Sequence, residues 1–231
     1  SVNVPSGSDL NILYLDNHLI AAHKPSGMLT QSDESGEDSL MDRVKTWIKT
    51  EYEKPGNVFL GLVHRLDRPV SGVVLFARTS KAASRLSEQF RERRTKKVYR
   101  AVIQGTPKPE SARLIHHIRK EKTLKATVFP RSATNAKQAE LSYKIIETFK
   151  MASVVEVELV TGRFHQIRAQ MAFAGHSVLG DVKYGAEKPL PGQEIALYAC
   201  KLMFSHPVSK EEINIQAAPP ANWPYVDRTF H

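Results

Sequence analysis

From residue 154 to 160 the chain alternates with a period of two, placing Val155, Val157 and Leu159 on one side and Glu156 and Glu158 on the other. Successive side chains of a strand point to opposite faces, so this segment predicts a strand in a sheet with one packed and one solvated side. Shorter segments follow the same pattern. Residues 11–23 read as two strands around the polar turn Asp16-Asn17, with Ile12, Tyr14, Leu19 and Ile20 as their apolar content, and Lys24-Pro25-Ser26-Gly27 breaks the pairing. Residues 73–77 form a short apolar strand. Further on, Val98, Arg100 and Val102 alternate with Tyr99, Ala101 and Ile103 before Gly105-Thr106-Pro107 closes the run. Another strand is expected over 195–204, with Trp223 packed over an edge. The lysine-rich stretch 108–137 has few apolar residues in series apart from Leu114-Ile115 and reads as a mobile excursion from the main sheet.

Helical spacing enters between these strands. After Ser39, a good N-cap, Leu40, Val44, Trp47 and Ile48 recur on one face until Lys54-Pro55-Gly56-Asn57 ends the pattern. Ser80 is expected to cap a second helix with Ala83, Leu86 and Phe90 as its buried stripe. Over 165–174 the inward stripe reads Ile167, Met171 and Ala174, His165 and Arg168 share a face, and Gly175 suits a left-handed terminus. Strands and helices interleave without an internal repeat or a long low-complexity linker, so the expected class is mixed α/β (α+β).

The 231 residues, 41% hydrophobic and 25% charged, suffice for one ordinary domain or two lobes around a sheet. Lysine and arginine number 33 against 24 acidic residues, a net charge of +9, and they cluster in runs such as Arg91-Glu92-Arg93-Arg94-Thr95-Lys96-Lys97. That points first to nucleic acid, and equally to an anionic membrane surface. Cys200 is the sole cysteine, which excludes an internal disulfide and a cysteine-rich metal site. The adjacent His116 and His117 lack nearby Cys or acidic ligands, so no metal is expected. The first ten residues carry no leader pattern, and no apolar run approaches the roughly 20 residues that span a bilayer, so no membrane partner and a cytoplasmic setting are expected.

The densest chemical signal is His64-Arg65-Leu66-Asp67-Arg68-Pro69-Val70-Ser71-Gly72, a carboxylate among basic residues in a turn fixed by Pro69 and Gly72. A cationic neighbourhood keeps such a carboxylate ionised. By itself the pattern serves a loop-fastening ion pair as well as a reaction. The segment resembles, however, the HRLDxxTSG signature of the RluA-type pseudouridine synthases. The resemblance runs on through residues 12–27, Lys97-Val98-Tyr99, Thr161-Gly162-Arg163-Phe164-His165-Gln166-Ile167-Arg168, Gly180-Asp181-Val182-Lys183-Tyr184-Gly185 and residues 202–207. Two departures stand out. Val70 replaces the usual threonine, and Gln170 replaces a histidine often found after the HQIR segment, which bears on substrate placement if that histidine contacts RNA.

The resemblance implies a pseudouridine synthase fold with a central, largely antiparallel sheet and a basic cleft between two lobes. It implies a catalytic domain over 11–231 after an N-terminal extension over 1–10, with no S4 domain, so that RNA selection rests on catalytic-domain loops. It implies an isomerase that needs no cofactor and acts on structured RNA, transfer or ribosomal, with no obligate protein partner. Asp67 matches the family's catalytic aspartate, Arg168 the arginine that pairs with it, and Tyr99 the tyrosine that packs against the target base. Arg65 matches the arginine that fills the place of a flipped nucleotide, while His64, Lys97, Arg163 and His165 are the further expected RNA contacts. Lys96, Arg119, Lys120, Lys122 and Lys125 are outer candidates. A noncatalytic RNA-binding or RNA-folding protein on the same fold is the rival reading, and an RNA N-glycosidase a weaker one.

Overall fold

The computed structural model describes residues 10–225, so the expected N-terminal extension lies, apart from Leu10, outside the described residues. In chain order the elements are β1 (Asn11–Leu15), β2 (Leu19–Lys24), α1 (Leu40–Glu51), β3 (Gly61–Leu62), β4 (Ser71–Ala77) and α2 (Ser80–Arg91). There follow β5 (Lys96–Gln104), β6 (Ser111–Lys120), β7 (Ala126–Phe129), β8 (Lys137–Thr148), β9 (Ala152–Leu159), α3 (Gln166–Phe173), β10 (Leu197–Ser205) and β11 (Glu212–Gln216). They form two compact units, the first from residues up to Thr95 with Ala199–Pro220, the second from Lys96–Tyr198 with the segment after Pro220. The class is mixed α/β. The pairings of β1 with β2, of β2 and β3 with β4, of β5 with β9, of β6 with β7 and β8, of β8 with β9 and of β10 with β11 are all antiparallel.

In the first unit the strands run β1-β2-β4-β10, with β3 on β4 and β11 on β10. The expected polar turn joins β1 to β2 because Asp16 Oδ1 accepts from the backbone of His18 at 2.7 Å and of Leu19 at 2.8 Å. All seven residues of β4 are buried, as a central strand covered on both faces requires. Leu19, Val73, Leu75, Leu86, Leu202, Phe204 and Ile215 form a core in this unit. Ser39 caps α1 as expected, its side chain accepting from Asp42 N. The cap of α2 is Thr79 and not Ser80, since Thr79 has the extended backbone and its hydroxyl accepts from Ala82 N. Ala82 and Leu86 are the buried apolar residues of α2, with Ala83 and Phe90 partly buried against the same core. At Gly72, where φ is +125°, an added Cβ would lie 2.2 Å from the Ala199 carbonyl oxygen, so β4 approaches β10 as only glycine permits.

In the second unit the order is β5-β9-β8-β6-β7. The stretch 108–137 is therefore not an excursion. β6 pairs with β8 from Ser111↔Lys144 to Ile118↔Lys137, and with β7 from His117↔Phe129 to Lys120↔Ala126. Its side chains alternate between exposed and partly covered, the pattern of a strand with a wet face, which apolar run length does not detect. α3 packs on the β6–β7–β8 end, where Ala169 and Tyr184 join Ile118, Ala126 and Ala139 in a core. Gln166 to Met171 are all buried, so α3 has no single inward stripe, and Ala174 is exposed. Gly175 takes the expected left-handed conformation, and Trp223 packs edge-on against Tyr198 with centroids 4.9 Å apart. No helix among the described residues is long and apolar enough to cross a membrane.

Candidate functional site

In the first unit the β2–β4 register sets Lys24 opposite Gly72, so the chain leaving β2 and the chain entering β4 meet at one edge. Segment 24–28 clamps the Asp67 loop there. Lys24 is completely buried, and its ammonium donates to the carbonyls of Pro25 at 3.0 Å, Met28 at 2.6 Å and Arg68 at 3.0 Å. Those three acceptors match the three N–H groups of an ammonium. Burial, helped by the Arg68 charge, pushes the lysine down to about 7, and the Asp67 carboxylate opposes the shift. Ser26 Oγ donates to Pro69 O at 2.8 Å, and Gly27 N to Arg68 O at 2.8 Å. Before the aspartate, Thr30 Oγ1 donates to Leu66 O at 3.1 Å and accepts from Leu66 N at 3.2 Å.

Both flanks of Asp67 are thus fixed. Its own carbonyl closes the turn by accepting from Val70 N at 2.9 Å, while Arg65 is exposed and the Asp67 side chain half-buried. His64 shapes this loop: its Nε2 accepts from Leu75 N at 2.8 Å, and its ring stacks on Phe90 with centroids 5.0 Å apart. Just beyond the Leu62–Phe76 pair of β3 and β4, a side chain thus takes a bond that a backbone carbonyl ordinarily accepts. Val70, the first departure from the signature, is 2% exposed, so the position packs as an apolar residue without a hydroxyl to satisfy.

The second unit carries Lys97, Tyr99, Arg163, His165 and Arg168. Lys97 and Tyr99 lie on one face of β5, Tyr99 opposite Val157, and the Lys97 ammonium reaches Gly162. Arg163 is held by Nε donating to Gln138 O at 2.8 Å. The structure brings Arg168 and His165 together around Tyr184. Arg168 donates from Nε to Asp181 Oδ2 at 2.7 Å and from Nη2 to Oδ1 at 2.9 Å, and its guanidinium lies 5.1 Å from the Tyr184 ring centroid. The Tyr184 hydroxyl accepts from Ala126 N at 2.8 Å and shares a hydrogen bond of 2.7 Å with His165 Nδ1. His165 is pushed down to about 3, first by burial and then by the charges of Arg168, Lys183 and Lys120. It is therefore a neutral imidazole, held at a left-handed φ of +52° at the start of α3.

Gln170, the second departure, is fully buried, and its Nε2 donates to His116 Nδ1 at 2.8 Å. The same nitrogen lies 3.5 Å from Leu114 O and 3.4 Å from Ala139 O, so the side chain is turned into the sheet. Lys24, Thr30, Asp181 and Tyr184 are the supporting residues to which sequence reasoning gave no role. The Gly180–Gly185 motif and the Lys-Pro pair marked three of them without indicating their partners, and Thr30 carried no signal. Among the described residues no cluster of three or more His, Cys, Asp or Glu side chains is placed to hold a metal ion.

Comparison with known proteins gives a consistent picture. A family model described as RNA pseudouridylate synthase matches residues 18–173. The ribosomal large subunit pseudouridine synthase D of Zymomonas mobilis is 31% identical over 228 residues, covering 94% of this chain and 72% of that protein. The ribosomal large subunit pseudouridine synthase C of Vibrio parahaemolyticus is 31% identical over 212 residues, covering 89% of this chain and 64% of its own length. Among solved structures, human RNA Pseudouridylate Synthase Domain Containing 4 superposes with a TM-score of 0.77 at 24% identity, over 92% of this chain and 90% of that one, a likeness of fold.

Proposed function

Because this chain belongs to the RNA pseudouridylate synthase family, and is thereby an isomerase, we propose that it converts uridine to pseudouridine at specific positions of structured RNA, with Asp67 as its catalytic carboxylate and no cofactor. The reaction breaks the N1–C1′ bond, reorients the base and joins C5 to C1′, with a proton lost from C5 and one gained at N1. It is balanced in electrons and needs no oxidant. Asp67 either attacks C1′ or removes a sugar proton to give a glycal. Tyr99 and Arg168 are assigned the family's base-packing and aspartate-pairing roles, and Arg65 the contact that replaces the flipped base.

The observation that carries this reading is the way the Asp67 loop is held. Leu66 is bonded through both its N–H and its carbonyl to Thr30, and the Arg68 carbonyl takes bonds from Lys24 and Gly27. A carboxylate on so constrained a loop keeps one geometry through bond breaking and bond making, as positioning catalysis requires. The two bacterial relatives carry names of ribosomal large-subunit synthases, so ribosomal RNA is the first substrate to test, and transfer RNA the second.

The test is site-resolved pseudouridine mapping in total RNA from matched cells with and without the protein, and from cells supplied with Asp67→Asn. The expected result is a modified site that disappears in the null, returns with the parent protein and fails to return with Asp67→Asn. In vitro the variant should lose on the order of 10²-fold or more in rate. Release of free uracil in place of pseudouridine, or an unaltered rate for Asp67→Asn, rejects the assignment.

A further inference from the structure

In the second unit a cavity of about 520 Å³ opens between the end of β6, the turn after it, the start of β8 and residues 162–164. Its charged lining is Arg119, Lys120, Lys122, Lys137 and Arg163, against the single acid Glu121. Glu121 is already engaged, since its Oε1 takes Arg119 Nε at 2.6 Å. The remaining cations are an excess of positive charge within one concave surface of ligand size. Two of the basic groups are fixed in advance: Arg119 by Glu121 and by the Phe129 ring 4.8 Å below its guanidinium, Arg163 by its bond to Gln138.

The one aromatic group in the lining, Phe164, narrows the choice of ligand. Its ring stacks on His165 with centroids 3.8 Å apart and an interplanar angle of 17°, and the Lys120 ammonium lies over it at 4.4 Å. Sequence-tolerant binding of bases relies on open aromatic faces, and the one ring here is already engaged by its own neighbours. The cavity offers five cations to a single, already engaged ring.

We propose that this cavity is a backbone-phosphate site for the RNA substrate, a sequence-blind contact that adds affinity and register but no base readout. The proposal rests on the reading of the protein as an RNA-modifying enzyme. It commits to the phosphodiester of RNA over free phosphate, whose charge chemistry is the same.

Lys122→Gln combined with Lys137→Gln tests it, because both side chains are exposed and thermal unfolding will show the fold intact. The control is Lys49→Gln with Lys54→Gln, an equal loss of charge at exposed positions in the first unit. Binding of structured RNA is measured over a series of salt concentrations. The slope of log affinity against log salt should become shallower by about 0.7–0.9 for each phosphate that is no longer neutralised, with about tenfold weaker binding at low salt. The change should be the same for two RNAs of unrelated sequence and exceed that of the control. A change no greater than the control's, or one confined to a single sequence, overturns the proposal. So does stoichiometric binding of inorganic phosphate that the double variant loses while its RNA affinity is unaltered. Pseudouridine is assayed in the same samples. A parent that shows the cavity-dependent slope but forms no product rejects the isomerase reading alone, and an active parent whose double variant behaves as the control rejects the cavity alone.

Discussion

Arg168 and Asp181 meet side by side through two parallel hydrogen bonds of 2.7 and 2.9 Å, with the arginine side chain 7% and the aspartate side chain 1% exposed. Both side chains are so far out of water that removing one partner of the pair costs about 3–5 kcal/mol. Asp181→Ala should lower stability by that amount, read from the midpoint of urea unfolding, and Asp181→Asn by less because one acceptor remains. In single-turnover isomerisation Asp181→Asn should slow the reaction with little effect on RNA affinity, provided that Arg168 serves the chemistry. An unshifted unfolding midpoint for Asp181→Ala would show that the pair does not hold Arg168.

Lys24 gives a pH signature. Burial lowers its affinity for protons in the folded state to about 7, from an ordinary value of 10.5. Between those two values the unfolded chain binds more protons than the folded one, so this lysine makes stability rise with pH across the window and flattens below it. Lys24→Met should remove that rise. It should also lower stability at neutral pH by about 1–3 kcal/mol, because carbonyls of Pro25, Met28 and Arg68 lose their donor. Chemical unfolding of both proteins at pH 6.5, 8 and 9.5 checks this. Parallel stability curves for parent and variant would show that Lys24 does not titrate in this range.

Two glycines with positive φ should respond differently to alanine. Gly72→Ala places a methyl group 2.2 Å from a backbone oxygen of β10, and neither strand can yield without breaking the sheet. Gly27, with φ +88°, has nothing within 4 Å of an added Cβ, so only conformational strain applies, about 1–3 kcal/mol. Gly72→Ala should yield protein that fails to fold or unfolds many degrees earlier, while Gly27→Ala folds with a modest loss. Equal thermal shifts would contradict the close approach of β4 to β10.

Elements with an apolar rhythm of their own were legible in the chain: β1, β2, β4, β5, β9 and β10, together with α1, α2 and α3. β6 and β8 were not. In β8, Ala139, Leu141 and Tyr143 are buried while Gln138, Glu140, Ser142 and Lys144 alternate with them. Its apolar members are thus small or isolated between polar neighbours, and the pairing with β6 and β9 that orders them is a long-range event. The same division holds at the site. Asp67, Tyr99 and Arg168 were legible as candidates because their motifs are dense, and their roles stand as proposals. The groups that hold their surroundings in place were not legible, since Lys24 bonds to Arg68 across 44 positions and Arg168 to Asp181 across 13. No local pattern encodes a partner at that separation.

The first unit is assembled from both ends of the sequence, and this sets a timetable for its birth on the ribosome. The Asp67 loop and its clamps are all synthesised before residue 80, yet the core beneath them includes Leu202, Phe204, Ile215 and Ala217. A nascent chain that has emerged only as far as Tyr198 has every residue of the second unit from Lys96 onward apart from its final segment, and lacks part of the packing that the first unit needs. At about 5–20 residues per second, the newly made Asp67 loop waits on the order of ten seconds for its foundation, with the exposed apolar faces of β2 and β4 a target for chaperones in the interval. Domains are usually completed in the order in which they are translated; here the unit begun first still lacks part of its core when most of the second has been made.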